Sequence, residues 1–254
     1  MAIETEDTAS REGSLGETIR TIIAALLIAV VFRSFAYQPF NIPSESMVPT
    51  LLVGDYLFVS KFSYGYSRHS LPFSPPLFEG RIFAGKVKRG DVAVFKLPRD
   101  GRTDYIKRIV GLPGDRIQIR NSVLYINGEP VRRERVADFV SDDPNLSIRR
   151  AARYRETLPN GVSYMTLDLY GPTDNDNTAV FRVPEGYYFA LGDNRDNSAD
   201  SRLPMSRGVG LVPAENLVGR AEVIIFSTDG SARWWEFWDW IGAMRFNRFF
   251  QDIS

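Results

Sequence analysis

The chain contains no cysteine. Thiol nucleophiles, disulfides and cysteine-held zinc are therefore excluded, and an oxidising compartment poses no hazard to it. It has a single histidine, His69, in the loop-like stretch Tyr66-Ser67-Arg68-His69-Ser70-Leu71-Pro72, with no partner carboxylate implied nearby. A serine–histidine–aspartate triad has little to build on. Charge of one sign is also lacking: 31 Lys and Arg balance 31 Asp and Glu, so no global field draws nucleic acid or acidic partners. Gly-x-Ser-x-Gly, Ser-x-x-Lys and His-Glu-x-x-His do not occur. The calcium-loop spacing is not met either. Its nearest approach, Asp174-x-Asp176-x-Thr178, has Ala179 where glycine is required.

One long apolar run is present. Ile22 to Phe32 is too short to cross a bilayer, which needs about 20 residues. Ile19 to Tyr37 suffices if Arg20 and Arg33 snorkel towards the headgroups, and Pro39 then stops the helix. Residues 1–18 read as a flexible acidic tail and 19–37 as a transmembrane anchor. Two rivals stand beside the anchor. A cleaved signal peptide would use the small-x-small pattern Ser34-Phe35-Ala36, although its leader should open with positive charge, and a core helix would be buried.

After Pro39 the texture is that of strands and turns. Tyr56–Lys61, Asp91–Lys96, Tyr105–Val110, Arg116–Arg120, Val123–Ile126, Tyr187–Leu191 and Val218–Ser227 are rich in β-branched and aromatic residues. Asn127-Gly128 is a favoured two-residue hairpin turn, and Pro159-Asn160-Gly161 separates two alternating runs. Ser67 to Lys88 reads as a long loop or β-ribbon. No strong amphipathic helix is expected between residues 50 and 230. The chain is thus expected to be mainly β, with an antiparallel β body at 38–129 and 184–232. Residues 130–183 read as an inserted, solvent-facing β subdomain. Residues 233–254 hold all four tryptophans, which suit either a membrane interface or a helix packed on the body.

Two short segments carry the chemistry: Pro43-Ser44-Glu45-Ser46-Met47-Val48-Pro49-Thr50 and Tyr105-Ile106-Lys107-Arg108. Prolines at 43 and 49 are expected to hold the backbone extended around Ser46. A serine needs a base to take its proton, and a neutral lysine can serve. On a strand Tyr105 and Ile109 share the face of Lys107, and burial between them disfavours the ammonium. The bland readings are a Ser/Pro-rich linker and a strand-edge lysine reaching water. A third dense segment, Gly192 to Arg202, alternates carboxylates, amides and arginines in a manner suited to a charge-assisted hydrogen-bonded loop.

Together these segments resemble bacterial signal peptidase I, a family of membrane-bound serine/lysine endopeptidases that remove signal peptides from exported preproteins. The resemblance runs in order through Pro39–Met47, Lys88–Val92, Asp104–Asp115, Gly192–Arg202 and Leu217–Ala221. It implies Ser46 as nucleophile, Lys107 as general base, Ser44 as a helper to the Ser46 N–H at the oxyanion, and Ser198 as the group orienting the lysine amine. Asp200 and Arg202 match a supporting ion pair. Phe40, Ile42, Met47, Leu51, Tyr105 and Ile106 fall where the family forms shallow apolar pockets for Ala-x-Ala. Glu45 departs from the glycine common in Gram-negative members. The resemblance further implies no metal or organic cofactor, a monomer in contact with membrane phospholipid, a single pass through the bacterial inner membrane, and an extracytoplasmic catalytic body. A self-cleaving serine/lysine regulator and a non-catalytic tethered binding domain are the alternatives.

Overall fold

The computed structural model describes residues 7–71, 74–232, 235 and 238–253. It opens with helix α1 (Asp7–Phe35), which starts well inside the tail expected to be flexible. No proline lies upstream of Pro39, and extending a helix already nucleated by the apolar run costs little per residue. Residues 1–6 of that tail lie outside the described residues. Leu15–Phe35 has a mean hydropathy of 2.0, and Leu26, Ile28 and Val31 are all largely exposed, so the core-helix reading fails.

The helix ends at Phe35 because Tyr37–Asn41 enters a sheet as β1. Pro39 is tolerated there because β1 is an edge strand. The next strands are β2 (Asp55–Ser60), β3 (Val92–Lys96), β4 (Asp104–Gly111), β5 (Arg116–Arg120) and β6 (Val123–Ile126). After them come β7 (Glu129–Pro130), β8 (Arg132–Arg135), β9 (Phe139–Val140), β10 (Arg150–Thr157) and β11 (Ser163–Asp168). The series closes with β12 (Phe181–Arg182), β13 (Tyr187–Leu191), β14 (Val212–Pro213), β15 (Leu217–Ser227) and β16 (Gln251–Asp252).

The main sheet has the order β1-β2-β15-β3-β4-β13-β14, with β16 on β15. Every named pairing is antiparallel: β3 against β4, for example, sets Ala93 opposite Lys107. A second sheet, β12-β5-β6-β7, contains the Asn127-Gly128 hairpin. Both turn residues have positive φ, 56° and 95°, as that turn requires. The third, β11-β10-β8 with β9 on β10, turns at Asn160-Gly161. Between Ser67 and Lys88 the chain makes one 3-10 turn, Arg68–Ser70, and one bridge, Tyr66 to Ile82. Pro72 and Phe73 of that stretch lie outside the described residues.

Two expectations are revised. The bounds 130 and 183 fall inside or beside the second sheet, since β7 contains Pro130 and β12 pairs with β5. Nor is the insertion simply solvent-facing. Leu146, Ile148 and Leu167 bury against Val48, and Leu158 and Tyr164 join the cluster of Ile117 and Phe189. Within 233–254, residues Arg233, Trp234, Glu236, Phe237 and Ser254 lie outside the described residues. A short helix α2 (Trp240–Ala243) follows, and then Arg248 clasps Asp55 (Nε to Oδ1 3.0 Å) while β16 pairs with β15. Trp235, Trp238 and Trp240 remain exposed.

Candidate active site

Ser46 sits in a turn braced from both sides. The backbone is extended at Ser44 (φ −129°, ψ 153°) and Val48 (φ −62°, ψ 133°), but Glu45–Met47 forms a single 3-10 turn rather than the extended run expected. Proline restricts its own φ and its immediate predecessor, so Pro49 fixes Val48 and leaves Ser46, three residues upstream, free to turn. Asn194 holds this turn from the opposite loop: its Nδ2 donates to Glu45 O (3.0 Å) and its backbone N–H to Ser46 O (3.2 Å).

Lys107 reaches the turn from β4. Its Nζ lies 2.6 Å from Ser46 Oγ and 2.9 Å from the Ile106 carbonyl, and both Lys107 and Ser46 are buried. Burial pushes the lysine down to about 8, against the pull of the Asp200 and Asp193 carboxylates. Those carboxylates are already committed. Arg202 grips Asp200 through Nε and Nη2 at 2.9 Å each, and Arg108 grips Asp193 through Nε at 2.9 Å and Nη2 at 2.8 Å. The lysine therefore has no close counter-ion, and the two carboxylates nearest it in charge are each balanced by an arginine.

Ser44 lies beside the pair, its Oγ 3.3 Å from Ser46 Oγ. Ser198 is placed differently from expectation. Among the described residues its buried hydroxyl has no hydrogen-bond partner, so it does not hold the lysine amine in this structure. It presses instead on Gly192, where a Cβ would lie 2.2 Å from Ser198 Oγ and 2.6 Å from Ser46 O.

A cleft of about 390 Å³ runs past the dyad. Phe40, Ile42, Tyr105 and Ile106 line it as expected. Met47 and Leu51 do not. Both are fully buried in the core beneath the turn, packed with Leu57, Val59 and Val94. The backbone between Asp104 and Lys107 pairs with β3 on one side only, because β13 reaches no further than Arg108. An open strand edge therefore borders the cleft.

Sequence reasoning missed several members of the site. Val94, Thr103, Asp104, Asn197 and Ala199 also line the cleft. Glu45 accepts from Ser147 Oγ (2.6 Å), from the Ser147 N–H and from Asn197 Nδ2 (3.1 Å), tying the turn to the insertion and to the 192–202 loop. Arg195 pairs with Glu156 of β10 at 2.7 and 2.5 Å, and Arg108 lies 4.2 Å over the Tyr164 ring. An arginine inside an apolar strand such as Tyr105–Val110 was the available signal, since a buried arginine demands a partner.

The sequence matches the profile of the family described as signal peptidase, peptidase S26, over residues 15–226. The chain belongs to the signal peptidase family. Signal peptidase I of Rickettsia conorii is 43% identical over 247 residues, covering 90% of this chain and 89% of that protein. The enzyme of the same name from Rickettsia canadensis is 39% identical over 272 residues, covering 100% and 98%. A crystal structure of a signal peptidase I from Enterococcus faecalis V583 is 28% identical and covers 53% of this chain and 96% of that one, with a TM-score of 0.31. The mainly β fold rests on the strand pairings themselves. The family match includes the apolar helix, so this signal peptidase is membrane-anchored and a peptide-bond hydrolase of the serine type.

Proposed function

We propose that this chain removes signal peptides from exported preproteins, with Ser46 as nucleophile and Lys107 as general base. The observation that carries the reading is the buried 2.6 Å approach of Nζ to Oγ at the wall of an apolar cleft. Lys107, neutral above about 8, takes the Ser46 proton as Oγ bonds to the scissile carbonyl carbon. The Ser46 N–H and the Ser44 hydroxyl stabilise the oxyanion, a kind of contact worth about 3–4 kcal/mol. The C–N bond then breaks, and the lysine ammonium returns its proton to the leaving amine. Water, deprotonated by the same lysine, attacks the acyl carbon and frees Ser46.

The substrate segment lies extended in the cleft, its backbone pairing with the open edge at Asp104–Lys107 and its small side chains facing Phe40, Ile42, Tyr105 and Ile106. Asp200 and Arg202 keep the 192–202 loop in shape, and Ser198, unpartnered before substrate binds, takes the lysine amine once Ser46 is acylated. The protein acts as a monomer on phospholipid, crossing the bacterial inner membrane once with its catalytic body outside the cytoplasm.

The test is to incubate the detergent-solubilised protein and its Ser46→Ala variant with a precursor whose leader ends in Ala-x-Ala. Mass spectrometry of the product should show a new N-terminus directly after the second Ala with the wild type alone. A folded wild type that makes no cut in the presence of lipid would overturn the reading.

A further inference from the structure

A second cavity, of about 440 Å³, opens where α1 meets the β body. Val30 and Arg33 of the last turns of α1 form one wall; apolar Phe40, Leu71 and Val218 lie in the other, together with the polar Lys61, His69, Ser74, Lys96 and Asp104. Its charge is unbalanced. Lys96 pairs with Asp104, the carboxylate in the lining, at 2.9 Å. Among the described residues neither Arg33 nor Lys61 has an ion-pair partner, and the Lys61 amine, buried with its side chain, donates to the Ser70 carbonyl at 2.5 Å. Three cations thus share one carboxylate.

The neutral donors are oriented as well. Arg68 Nε donates to His69 Nε2 (3.3 Å), so the ring proton sits on Nδ1 and points to Ser74 Oγ (3.2 Å). That leaves the Ser74 hydroxyl proton free to turn into the cavity. Burial, then the Arg68 charge, holds His69 down to about 4, so the ring stays neutral. Burial, then the Arg33 charge, brings Lys61 down to about 8, against the weaker pull of Asp104.

The position of the cavity tells what the anion is. Leu15–Phe35 is the apolar span, and Arg33 lies in its last turn, at the level where hydrocarbon gives way to headgroups. A guanidinium there offers a fork, and two ammoniums beside it offer compact charge, a combination suited to a tetrahedral anion. We propose that this cavity binds the phosphodiester of an anionic phospholipid headgroup between Arg33, Lys61 and Lys96. The occupant fixes the rotation of α1 against the β body, and it does so without contact to Ser46 or Lys107.

The experiment uses the full chain reconstituted in nanodiscs of phosphatidylcholine, with phosphatidylglycerol as the added probe, and reads lipid retained after gentle ejection by native mass spectrometry. Wild type should retain phosphatidylglycerol in preference to phosphatidylcholine. Arg33→Gln and Lys61→Met should each weaken that retention by about tenfold, as loss of one charge-assisted contact implies. Arg33 is exposed on α1, so its variant tests the site even if the buried Lys61 variant folds poorly. Arg116→Gln, an exposed cation on β5, should change nothing. Equal retention of the two lipids, or retention unaffected by Arg33→Gln, overturns the site. Displacement of the lipid by an equal concentration of inorganic phosphate would assign the cavity to a free anion and overturn the lipid assignment. None of these readouts uses peptide cleavage, so failure here is distinguishable from failure of the catalytic reading.

Discussion

Lys107 titrates low because its surroundings offer apolar contact and already-paired carboxylates. The Tyr105 ring lies 5.5 Å from Nζ, while Asp200 and Asp193 spend their charge on Arg202 and Arg108. A base with a value of about 8 is charged and idle below it, so kcat/KM should climb with pH and level off above about 8. A pH–rate profile flat through that limb would contradict Lys107 as the base. Lys107→Arg keeps the charge and cannot deprotonate, so turnover should fall by about 10²–10⁴-fold in an assay with the same precursor while circular dichroism stays native. Glu45 acts at one remove. Glu45→Ala frees Ser147 and Asn197 from the turn and should lower kcat/KM by about tenfold. Glu45→Gln, which still accepts from Ser147, should lose less in the same steady-state comparison.

At the scale of elements, the turns set the register. Gly128 at φ 95° follows Asn127 at φ 56°, so Gly128→Ala should cost about 1 kcal/mol or somewhat more, read from the urea midpoint. The same substitution at Gly192 has a different cause and a larger effect. Its Cβ would enter both Ser198 Oγ and the Ser46 carbonyl, moving the turn that carries Ser46. Gly192→Ala should therefore cut kcat far more than it lowers the melting temperature, a split that a uniform loss of folding would not give. Most strands were legible because they alternate or run apolar between turn residues, and Arg116–Arg120, Val123–Ile126 and Tyr187–Leu191 agree residue for residue. β1 was not, because it follows the anchor directly and carries Pro39; only its edge position makes that proline harmless.

At the scale of the molecule, the insertion and the catalytic loop share buried charge. Glu156 on β10 and Arg195 in the loop are both buried, and Tyr164 OH donates to Glu156 Oε2 at 2.9 Å. Removing one partner strands the other in a dry interior, so Glu156→Ala should cost about 3–5 kcal/mol in denaturant unfolding. Arg132→Ala, whose pairing with Glu134 is exposed, should cost at most about 1 kcal/mol. Such a contrast would show that the insertion is part of the site's frame, a role its charged, irregular sequence gave no means of reading.

Local chemistry settled much of this protein in advance. The apolar run, the strand periods and the Asn-Gly turn led to an anchored, mainly β chain, and the lack of cysteine or a usable histidine left Ser46 and Lys107 as the candidate pair. These features are short-range, and a linear sequence states them directly. Only the tertiary structure decided that Met47 and Leu51 support the turn from below, that Ser198 stands without a partner, and that Glu45, Asn194 and Glu156 bind distant segments to the site. Such roles depend on which residues far apart in the chain come within about 3 Å of one another, as hydrogen bonding requires, and packing alone sets that distance.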